Sequence, residues 1–256
     1  MNAIRHIATC TRNNRRIARF YRLIFGMEEL WNDRQNSPYS FYLTDGFVNV
    51  NCLLIHPGLK RDPGVGIEHF GMFVDSIEQS ENKITAFQPD TKIEASPRDG
   101  RYEDKRFNDP EGNRLEIAIN PWGTAGIKKK PGIRHIAIHA QDLERLADFY
   151  QTVFSMKRVG KTHAGESTIV YLSDGDFSLA LAQNVPDTPY GIQLFGIHVE
   201  SIAVVQEKLK SSPRFLYEGE PEVRVAERPK AGPFGKYYLR DPDGNCVELS
   251  EEGWPL

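Results

Sequence analysis

The sequence predicts an α+β protein made of four strand–helix–three-strand units, two in each half of the chain. The strand and helix that open the chain occur again in the second half, with His6 and His135 separated by 129 positions and Phe20 and Phe149 by the same distance. Within each half, the order of apolar strand and amphipathic helix is itself repeated. An internal repeat of this kind constrains the fold more strongly than any local motif.

The first unit begins with a strand over 4–11 and continues into a helix that Asn13 or Asn14 can cap. Gly26 follows this helix and can end it in the left-handed conformation. The apolar residues of the helix recur at the spacing of one buried face, namely Ile17, Phe20, Tyr21 and Ile24. Three short strands are expected next, at 29–32, 40–43 and 47–55.

The second unit repeats this order, with a strand over 66–74 and a helix that ends near Phe87. A polar stretch over 88–104 is expected to be a long loop with room for one strand. The turn Asp-Pro-Glu-Gly-Asn at 109–113 leads into the closing strand at 114–119. The second half ends with a very similar turn and strand, which again indicates a duplication.

In the second half, the first unit covers 135–183 and the second covers 194–250. The residues between the halves, 122–132, contain glycine, proline and a run of lysines without apolar periodicity, which is typical of a linker. A chain of 256 residues is long enough for two compact domains. We therefore predict one domain over 1–124 and a second over 131–256.

The composition is that of a globular protein, with 39% hydrophobic and 26% charged residues and a net charge of −3. This near-neutral balance argues against nucleic acid as a partner, and no apolar run is long enough to cross a bilayer. The three cysteines are too scattered for a disulfide framework. The chain begins without the apolar core of a signal peptide, so we expect a cytoplasmic protein.

Four sequence features together resemble one known family. They are the strand motif Arg-His-Ile-Ala, the helix motif Phe-Tyr-x-x-x-Phe, and the closing stretches DPEGNRLEI and DPDGNCVEL. Nearly the whole chain resembles the vicinal oxygen chelate superfamily, which includes glyoxalase I, methylmalonyl-CoA epimerase, bleomycin-resistance proteins and extradiol ring-cleaving dioxygenases. The resemblance implies two cup-shaped, mixed but mostly antiparallel sheets with the helices outside and a metal inside a cup.

The resemblance also implies a metal site in the first half, made of His6, His69 and Glu116. Strand alternation places Glu116 on the cup face, because its neighbours form an apolar face suited to helix packing, namely Leu115, Ile117 and Ile119. His69 lies on the cup face of its strand for the same reason, and His6 occupies the matching place in the first unit. Two histidines and one carboxylate are the ligand set of non-haem Fe(II) oxygenases.

In the superfamily that the chain resembles, glyoxalase I and methylmalonyl-CoA epimerase take a fourth ligand, Glu or Gln, from the last strand of the first unit. Here this strand offers only Asn49 or Asn51, and gap-free counting places Val50 at the ligand position. Three protein ligands therefore match the dioxygenase pattern better.

The second half departs from this ligand pattern. His135 and Glu248 occupy ligand positions, but the third position holds Leu194. His139 and His198 lie four residues further along the same strand faces, so a rearranged site is an alternative. We favour a degenerate cup without metal in this half, although two-domain extradiol dioxygenases generally keep their metal in the C-terminal half.

Ring-cleaving members of the superfamily resemble one another in a tyrosine ten residues before the ligand glutamate. This position is Arg106 in the first half and Tyr238 in the second. His56 is the candidate acid–base catalyst, because imidazole exchanges protons near neutral pH. The alternative interpretation is that His56 is an ordinary surface histidine in the turn before Pro57. Tyr102, in the long loop, is a further candidate helper or lid residue, with an ordinary surface position as the alternative.

These features predict an Fe(II)-dependent extradiol-type dioxygenase that acts with O₂ on a catecholic or other vicinal-oxygen small molecule, as in the catabolism of aromatic hydrocarbons. Mn(II), Co(II), Ni(II) and Zn(II) are the other metals that suit the ligand set. The alternatives are a metal-dependent isomerase or lyase of the glyoxalase or epimerase type, and a metal-free protein that binds a drug in the cup. A homo-oligomer is compatible with the sequence.

Overall fold

The computed structural model describes residues 2–31, 39–58, 64–95, 105–185, 187–212, 226–227 and 237–256. In the first half, these residues form β1 (Ala3–Thr11), α1 (Asn14–Phe25), β2 (Glu28–Trp31), β3 (Ser40–Thr44), β4 (Asn49–Leu54), β5 (Gly66–Phe73), α2 (Ile77–Phe87), β6 (Glu94–Ala95), β7 (Lys105–Asn108) and β8 (Arg114–Ala118). In the second half, they form β9 (Gly132–His139), α3 (Leu143–Phe154), β10 (Lys157–Ala164), β11 (Ser167–Ser173), β12 (Ser178–Gln183), β13 (Gly191–His198), α4 (Ile202–Lys210), β14 (Ala226–Glu227), β15 (Tyr237–Arg240) and β16 (Cys246–Ser250).

Each half forms one mixed sheet, in which two units meet edge to edge. The strand order is β2-β3-β4-β1-β5-β8-β7-β6 in the first half and β10-β11-β12-β9-β13-β16-β15-β14 in the second. The central pairs, β1 with β5 and β9 with β13, are antiparallel. β1 pairs with β4, and β5 with β8, in parallel, while the remaining pairs of the first sheet are antiparallel. The predicted α+β fold of four units in two sheets is confirmed, and the units pair within each half rather than between the halves.

The ends of α1 follow from its sequence. Asn13, rather than Asn14, is the N-cap residue, and its Oδ1 accepts a hydrogen bond from the Arg16 backbone N at 3.1 Å. Gly26 ends the helix with φ of 66°, a conformation that favours glycine. The predicted apolar face is buried along its whole length, at Ile17, Phe20, Tyr21 and Ile24.

Two predicted strand boundaries were wrong. The strand expected from residue 47 begins at Asn49, because the Asp45 side chain binds the backbone N of both Phe47 and Val48 and holds them in a turn. The closing strand ends at Ala118, whose carbonyl accepts the hydrogen bond from Val74 N, and Ile119 is 59% exposed instead of packing on a helix. The predicted loop at 88–104 contains the short strand β6, and its residues 96–104, Tyr102 among them, lie outside the described residues.

The buried apolar residues of both halves form one shared hydrophobic core. The helices contribute to this core and pack on the sheet faces opposite to those that carry the predicted metal ligands. Tyr21 of α1 contacts Phe195 of β13, with ring centroids 5.9 Å apart. In the matching position, Tyr150 of α3 contacts Phe70 of β5 at 6.2 Å. The division into domains at 1–124 and 131–256 stays a prediction.

Symmetric hydrogen bonds join the halves and account for two of the repeated motifs. The Tyr21 hydroxyl donates to Asp241 Oδ2 at 2.8 Å, and the Tyr150 hydroxyl donates to Asp109 Oδ2 at 2.8 Å. Each tyrosine belongs to a Phe-Tyr helix motif, and each aspartate opens the closing turn of the opposite half. Burial raises the pKa of Asp109, and it raises the pKa of Asp241 to about 6.

A second symmetric pair of bonds involves the turns that precede β4 and β12. Asp45 Oδ2 accepts from the Ile133 backbone N at 2.6 Å, and Asp174 Oδ2 accepts from the Ile4 backbone N at 2.8 Å. Each aspartate therefore holds the first strand of the other half. In the described part of the chain, none of the helices has the length and apolar character needed to cross a membrane.

We expect Tyr21→Phe to lower the free energy of unfolding by about 1–3 kcal/mol at pH 8, because it leaves a buried carboxylate without its hydroxyl donor. The folded pKa of Asp241, about 6, lies above its ordinary value of 3.8. The contribution of this carboxyl to stability is therefore fully present below pH 3.8 and is lost as the pH rises through 6. The Tyr21 hydroxyl stabilises the ionised form, so its loss should cost less at pH 5 than at pH 8.

Urea denaturation at the two pH values measures this difference. Tyr150→Phe removes the matching bond and should behave in the same way, whereas Tyr190→Phe changes a side chain that is 60% exposed and should have little effect. An equal loss of stability in all three variants, or the same loss at both pH values, would contradict the assignment.

Candidate metal centre

Three adjacent strands, β1, β5 and β8, carry the three predicted ligands. His6 lies opposite Gly71 of β5, and Gly71 lies opposite Glu116 of β8, so the three positions form one row across the sheet. His69 lies two residues before Gly71 and points to the same face. All three side chains are buried on the cup face, as the sequence predicts.

The structure brings His6, His69 and Glu116 together. His6 Nε2 lies 3.2 Å from His69 Nε2, and Glu116 lies 3.2 Å from His69 Nε2 through Oε1 and 3.9 Å from His6 Nε2 through Oε2. One potential ligand atom of each residue lies within 4.8 Å of those of the other two. Across the described residues, no other group of His, Cys, Asp or Glu side chains has this geometry.

Asn49 determines which nitrogen of His6 faces the centre. Its Nδ2 donates to the Trp122 carbonyl at 3.2 Å, so its Oδ1 is the atom 2.8 Å from His6 Nδ1. This oxygen can only accept, which places the proton of His6 on Nδ1 and a lone pair on Nε2. Burial, followed by the neighbouring His69, lowers the pKa of His6 well below its usual value.

Glu68 has the same effect on His69. Its Oε2 makes a very short hydrogen bond with His69 Nδ1, and its Oε1 accepts from Arg114 Nη1 at 2.6 Å. Burial alone would raise the pKa of Glu68, but the bond from His69 and the charge of Arg114 lower it to about 2. The ionised carboxylate holds the proton of His69 on Nδ1, so the Nε2 lone pair also faces the centre.

The two imidazoles make this arrangement unfavourable unless a cation binds. Their Nε2 lone pairs face each other in a buried space beside the Glu116 carboxylate, and Arg106 Nε lies 3.2 Å from Glu116 Oε1 on the other side. Acceptors that face one another without a donor are costly to bury. Two neutral imidazoles and one carboxylate are common donors to divalent first-row cations, so the residues present fit such an ion.

Trp122 and Gly71 complete the wall beside His6. The Trp122 indole stacks on the His6 imidazole, with ring centroids 5.1 Å apart and planes 10° from parallel. A Cβ atom at Gly71 would lie 2.7 Å from the Trp122 ring, so only glycine leaves room for it. Trp122 is fully buried, and its side chain packs against the first half, although residue 122 lies at the start of the predicted linker.

The three positions of β4 that were considered for a fourth ligand have different surroundings. Val50 is fully buried in the shared core and so does not face the candidate ligands. Asn49 bonds to His6 instead of joining the three converging atoms. Asn51 is buried on the same face, and its Oδ1 has no hydrogen-bond partner among the described residues.

The second half keeps part of this geometry. His135 Nε2 lies 3.5 Å from Glu248 Oε2, its Nδ1 lies 3.1 Å from the Ser178 carbonyl, and its ring stacks on Trp254 at 4.7 Å. The face around them is largely apolar and is formed by Ala137, Ile169, Tyr171, Ala180, Ala182, Leu194 and Tyr238. The described residues of this cup therefore contribute one imidazole and one carboxylate.

His139 and His198 do not join this pair. His139 Nδ1 lies 2.9 Å from the Thr188 carbonyl, and its Nε2 accepts from Val185 N at 3.3 Å. His198 Nε2 lies 3.1 Å from the Glu251 carbonyl. Within the described part of the chain, these contacts do not form the rearranged site considered above.

The other predicted site residues lie in different surroundings. His56 follows β4, stacks on Tyr39 with ring centroids 3.8 Å apart, and accepts from Gly58 N at 3.1 Å. It is not among the converging ligand atoms, and its catalytic role stays a prediction. Arg106 of β7 lies opposite Glu116, and Tyr238 of β15 lies opposite Glu248, so residues ten positions apart are directly paired in both halves.

The sequence reasoning missed two partners of the ligands, Glu68 and Trp122. Glu68 directly precedes His69, and a carboxylate beside a candidate histidine is a signal that could have been read as its support. Trp122 lies far from His6 in sequence, but it recurs as Trp254 at the offset that separates the two closing turns, and this repeat is a signal that could have found it.

Comparisons with known proteins identify the family of the chain. The family model described as "Glyoxalase/Bleomycin resistance protein/Dioxygenase superfamily" matches residues 3–117 and again 132–249. A search of the curated proteins finds no match.

Solved structures with the same fold include several dioxygenases. A catechol 2,3-dioxygenase superposes with a TM-score of 0.69 at 16% identity, covering 99% of this chain and 93% of its own. The 2,3-dioxygenase LapB from Pseudomonas sp. KL28 gives 0.67 at 17% identity, with 99% and 96% covered.

A variant of 4-hydroxymandelate synthase from Streptomyces coelicolor gives a TM-score of 0.65 at 14% identity, with 96% of this chain and 91% of its own covered. At these identities the likeness concerns the fold, and one fold can carry different reactions. The two tandem matches cover most of the sequence, and the chain belongs to the glyoxalase/bleomycin resistance protein/dioxygenase superfamily.

Proposed function

We propose that this protein is a non-haem Fe(II)-dependent dioxygenase of the extradiol type, which cleaves the ring of a catecholic or similar vicinal-oxygen substrate with O₂. The observation that carries the proposal is the convergence of two neutral imidazoles and one carboxylate, with both Nε2 lone pairs turned inward. Dioxygenases among the structural neighbours support the same reaction class.

In this proposal, His6, His69 and Glu116 hold the metal, and the first cup is the active one. Fe(II) suits two histidines and one carboxylate with open positions, and Mn(II), Co(II), Ni(II) or Zn(II) are the other candidates. When bound, the ion would lower the pKa of the substrate hydroxyls and hold substrate and O₂ side by side. The degenerate second cup would hold no metal.

The surrounding residues would orient the ligands. Asn49 and Glu68 hold the two Nδ1 protons, so neither ring can turn without breaking a hydrogen bond. Trp122 packs flat on His6 and restricts its rotation further. His56, at the end of β4, is proposed as the acid–base group that moves a substrate proton.

The rival reactions have less support. An isomerase or lyase of the epimerase type would take Glu or Gln from β4 as a fourth ligand, whereas here Val50 is in the core and Asn49 bonds to His6. Asn51 is the cup-facing side chain of this strand that such a reaction would have to use instead. A metal-free drug-binding protein would keep the ion pair of Arg106 with Glu116 but would leave the two Nε2 lone pairs facing each other without a donor, which is unfavourable.

Metal binding separates the two cups. We expect His69→Ala to abolish stoichiometric Fe(II) binding, because it removes one of three donors, and His135→Ala to leave it intact. Metal analysis after anaerobic reconstitution measures the stoichiometry. The assignment would be wrong if His135→Ala lost the metal and His69→Ala kept it.

We expect Glu68→Gln to weaken metal affinity by about 10- to 100-fold, because the amide is a weaker acceptor for the His69 Nδ1 proton. Competition with a chelator measures the affinity. Glu81→Gln is the control, since Glu81 belongs to a partly exposed ion pair with Lys105 at 3.0 Å. Equal metal affinities in Glu68→Gln and Glu81→Gln would contradict the role of Glu68 in supporting His69.

The reaction itself is tested with iron restored under anaerobic conditions. A panel of catechols should bind, and on admission of O₂ one of them should be consumed with formation of a yellow ring-opened product. Glu116→Ala should lose both iron and activity. If no catechol binds or consumes O₂, while deuterium exchanges next to a carbonyl of an acid or thioester, the epimerase type of reaction replaces this proposal.

We expect His56→Ala to slow turnover by about 10²–10⁴-fold while iron stays bound, because it removes a proton-transfer group but no ligand. Steady-state O₂ consumption and metal analysis on the same sample separate these effects. His163→Ala, which changes an exposed histidine of the second half, is the control. Unchanged turnover in His56→Ala would contradict an acid–base role for His56.

A further inference from the structure

The outer surface of α1 carries a row of arginines. Arg15, Arg19 and Arg22 are exposed, whereas the opposite side of the helix is buried in the shared core. α4 lies beside α1, because Lys208 Nζ donates a hydrogen bond to the Ile24 carbonyl at 3.1 Å. We call the exposed side of this helix pair the basic face, and its charged residues are Arg15, Arg19, Arg22, Lys208 and Lys210, accompanied by Glu207.

The equivalent helix pair, α3 with α2, carries the opposite charge. With the offset of 129 residues between the two opening motifs, Arg15 corresponds to Glu144. By the same offset, Arg19 corresponds to Asp148. Both acidic side chains are exposed, and α2 packs beside α3. We call the exposed side of this pair the acidic face, and its charged residues are Glu78, Asp142, Glu144 and Asp148, accompanied by Lys83 and Arg145.

The arginines of α1 do not stabilise the helix that carries them. Arg15 and Arg16 lie in its first turn, at the positive end of the helix dipole, whereas α3 has the favourable Glu144 there. Arg19 follows Arg15 by four residues, and like charges at this spacing are unfavourable. Asp243 pairs with Arg16 at 2.8 Å, which accounts for that residue. Arg15 and Arg19 face the solvent instead, where a partner outside the molecule can contact them.

Such a partner has to bind the basic face from outside. The apolar side of α1 already lies in the shared core, so the helix cannot insert into a lipid layer as a free amphipathic helix does. The acidic face of another copy supplies opposite charges at the same spacing, since Glu144 and Asp148 are four residues apart. Arg15 and Arg19 are separated by the same four residues. Leu23 is 46% exposed on the basic face, and a partner bound there removes it from water.

We propose that the basic face of one copy binds the acidic face of a second copy, so that the protein self-associates through its helices. Because each copy carries both faces, the contact joins unlike surfaces, and it either closes into a ring or continues as a chain. The candidate metal ligands lie on the sheet face opposite to the helices, so this contact leaves the first cup accessible to a substrate.

The first test measures the self-association of the full-length protein as purified. Sedimentation velocity over a range of protein concentrations should show assembly at an ionic strength of about 0.01 M, where the Debye length is about 30 Å. At about 1 M the Debye length is about 3 Å, and the dissociation constant should rise by about tenfold or more. A protein that stays monomeric at both ionic strengths overturns the inference.

The second test exchanges the charges of the two faces. Arg15→Glu combined with Arg19→Glu should abolish self-association, because two acidic faces then repel each other. Glu144→Arg combined with Asp148→Arg should abolish it as well, because both faces are then basic. The variant with all four substitutions should recover self-association, since the same contact is rebuilt with the signs reversed. Self-association that persists in either double variant contradicts the inference.

The control for net charge is Lys92→Glu combined with Lys130→Glu. Both lysines are exposed and lie outside the two faces, so this variant should assemble like the wild type. If it loses self-association as Arg15→Glu combined with Arg19→Glu does, net charge rather than the basic face controls assembly, and the inference is wrong.

Mixing decides the outcome if the variants of α1 do not fold. Glu144→Arg combined with Asp148→Arg keeps the basic face, so this variant should bind the wild type but not itself. Vesicles that contain phosphatidylserine test a different occupant. If they bind the wild type through Arg15 and Arg19 while the protein stays monomeric, the basic face docks on anionic lipid and the proposed contact between copies is wrong.

Discussion

The antiparallel pairing of β1 with β5 is the constraint on which the candidate metal centre depends. Its register places His6 opposite Gly71, so the imidazole meets a position without a side chain and Trp122 can pack over both. The parallel pairing of β5 with β8 then brings Glu116 to the same row. A shift of one residue in either pairing would turn a ligand toward the shared core, where a charge or an unpaired imidazole is costly.

Much of this arrangement could be read from the sequence, because strand alternation and an internal repeat are both visible in the residue pattern without knowledge of the tertiary contacts. Alternation was enough to put Glu116 and His69 on one face, and the repeat was enough to find four units. The partners of the ligands were harder to predict. Asn49 had been weighed as a ligand, but its orientation depends on the Trp122 carbonyl, which is distant in sequence. Ile119 follows the apolar pattern of its strand, yet the chain leaves the sheet one residue earlier.

The two cups show how the same backbone supports different electrostatics. Positions that carry Asn49, Asn51 and Arg106 in the first half carry Ser178, Ala180 and Tyr238 in the second. Leu194, which lies at the position of His69, therefore has fewer polar and charged residues around it. The two cups differ as whole neighbourhoods, because each buried polar group depends on its partners.

The bonds between each helix tyrosine and the opposite closing turn have a consequence for how the two halves depend on each other. Since every half supplies the donor for one such bond and the acceptor for the other, neither half completes its own buried hydrogen bonding. Each half is therefore the structural complement of the other, whatever its own cup binds. Substitutions inside one cup leave these bonds intact, whereas substitutions of the helix tyrosines or the closing turns break them, so the two sides of one sheet are under separate structural constraints.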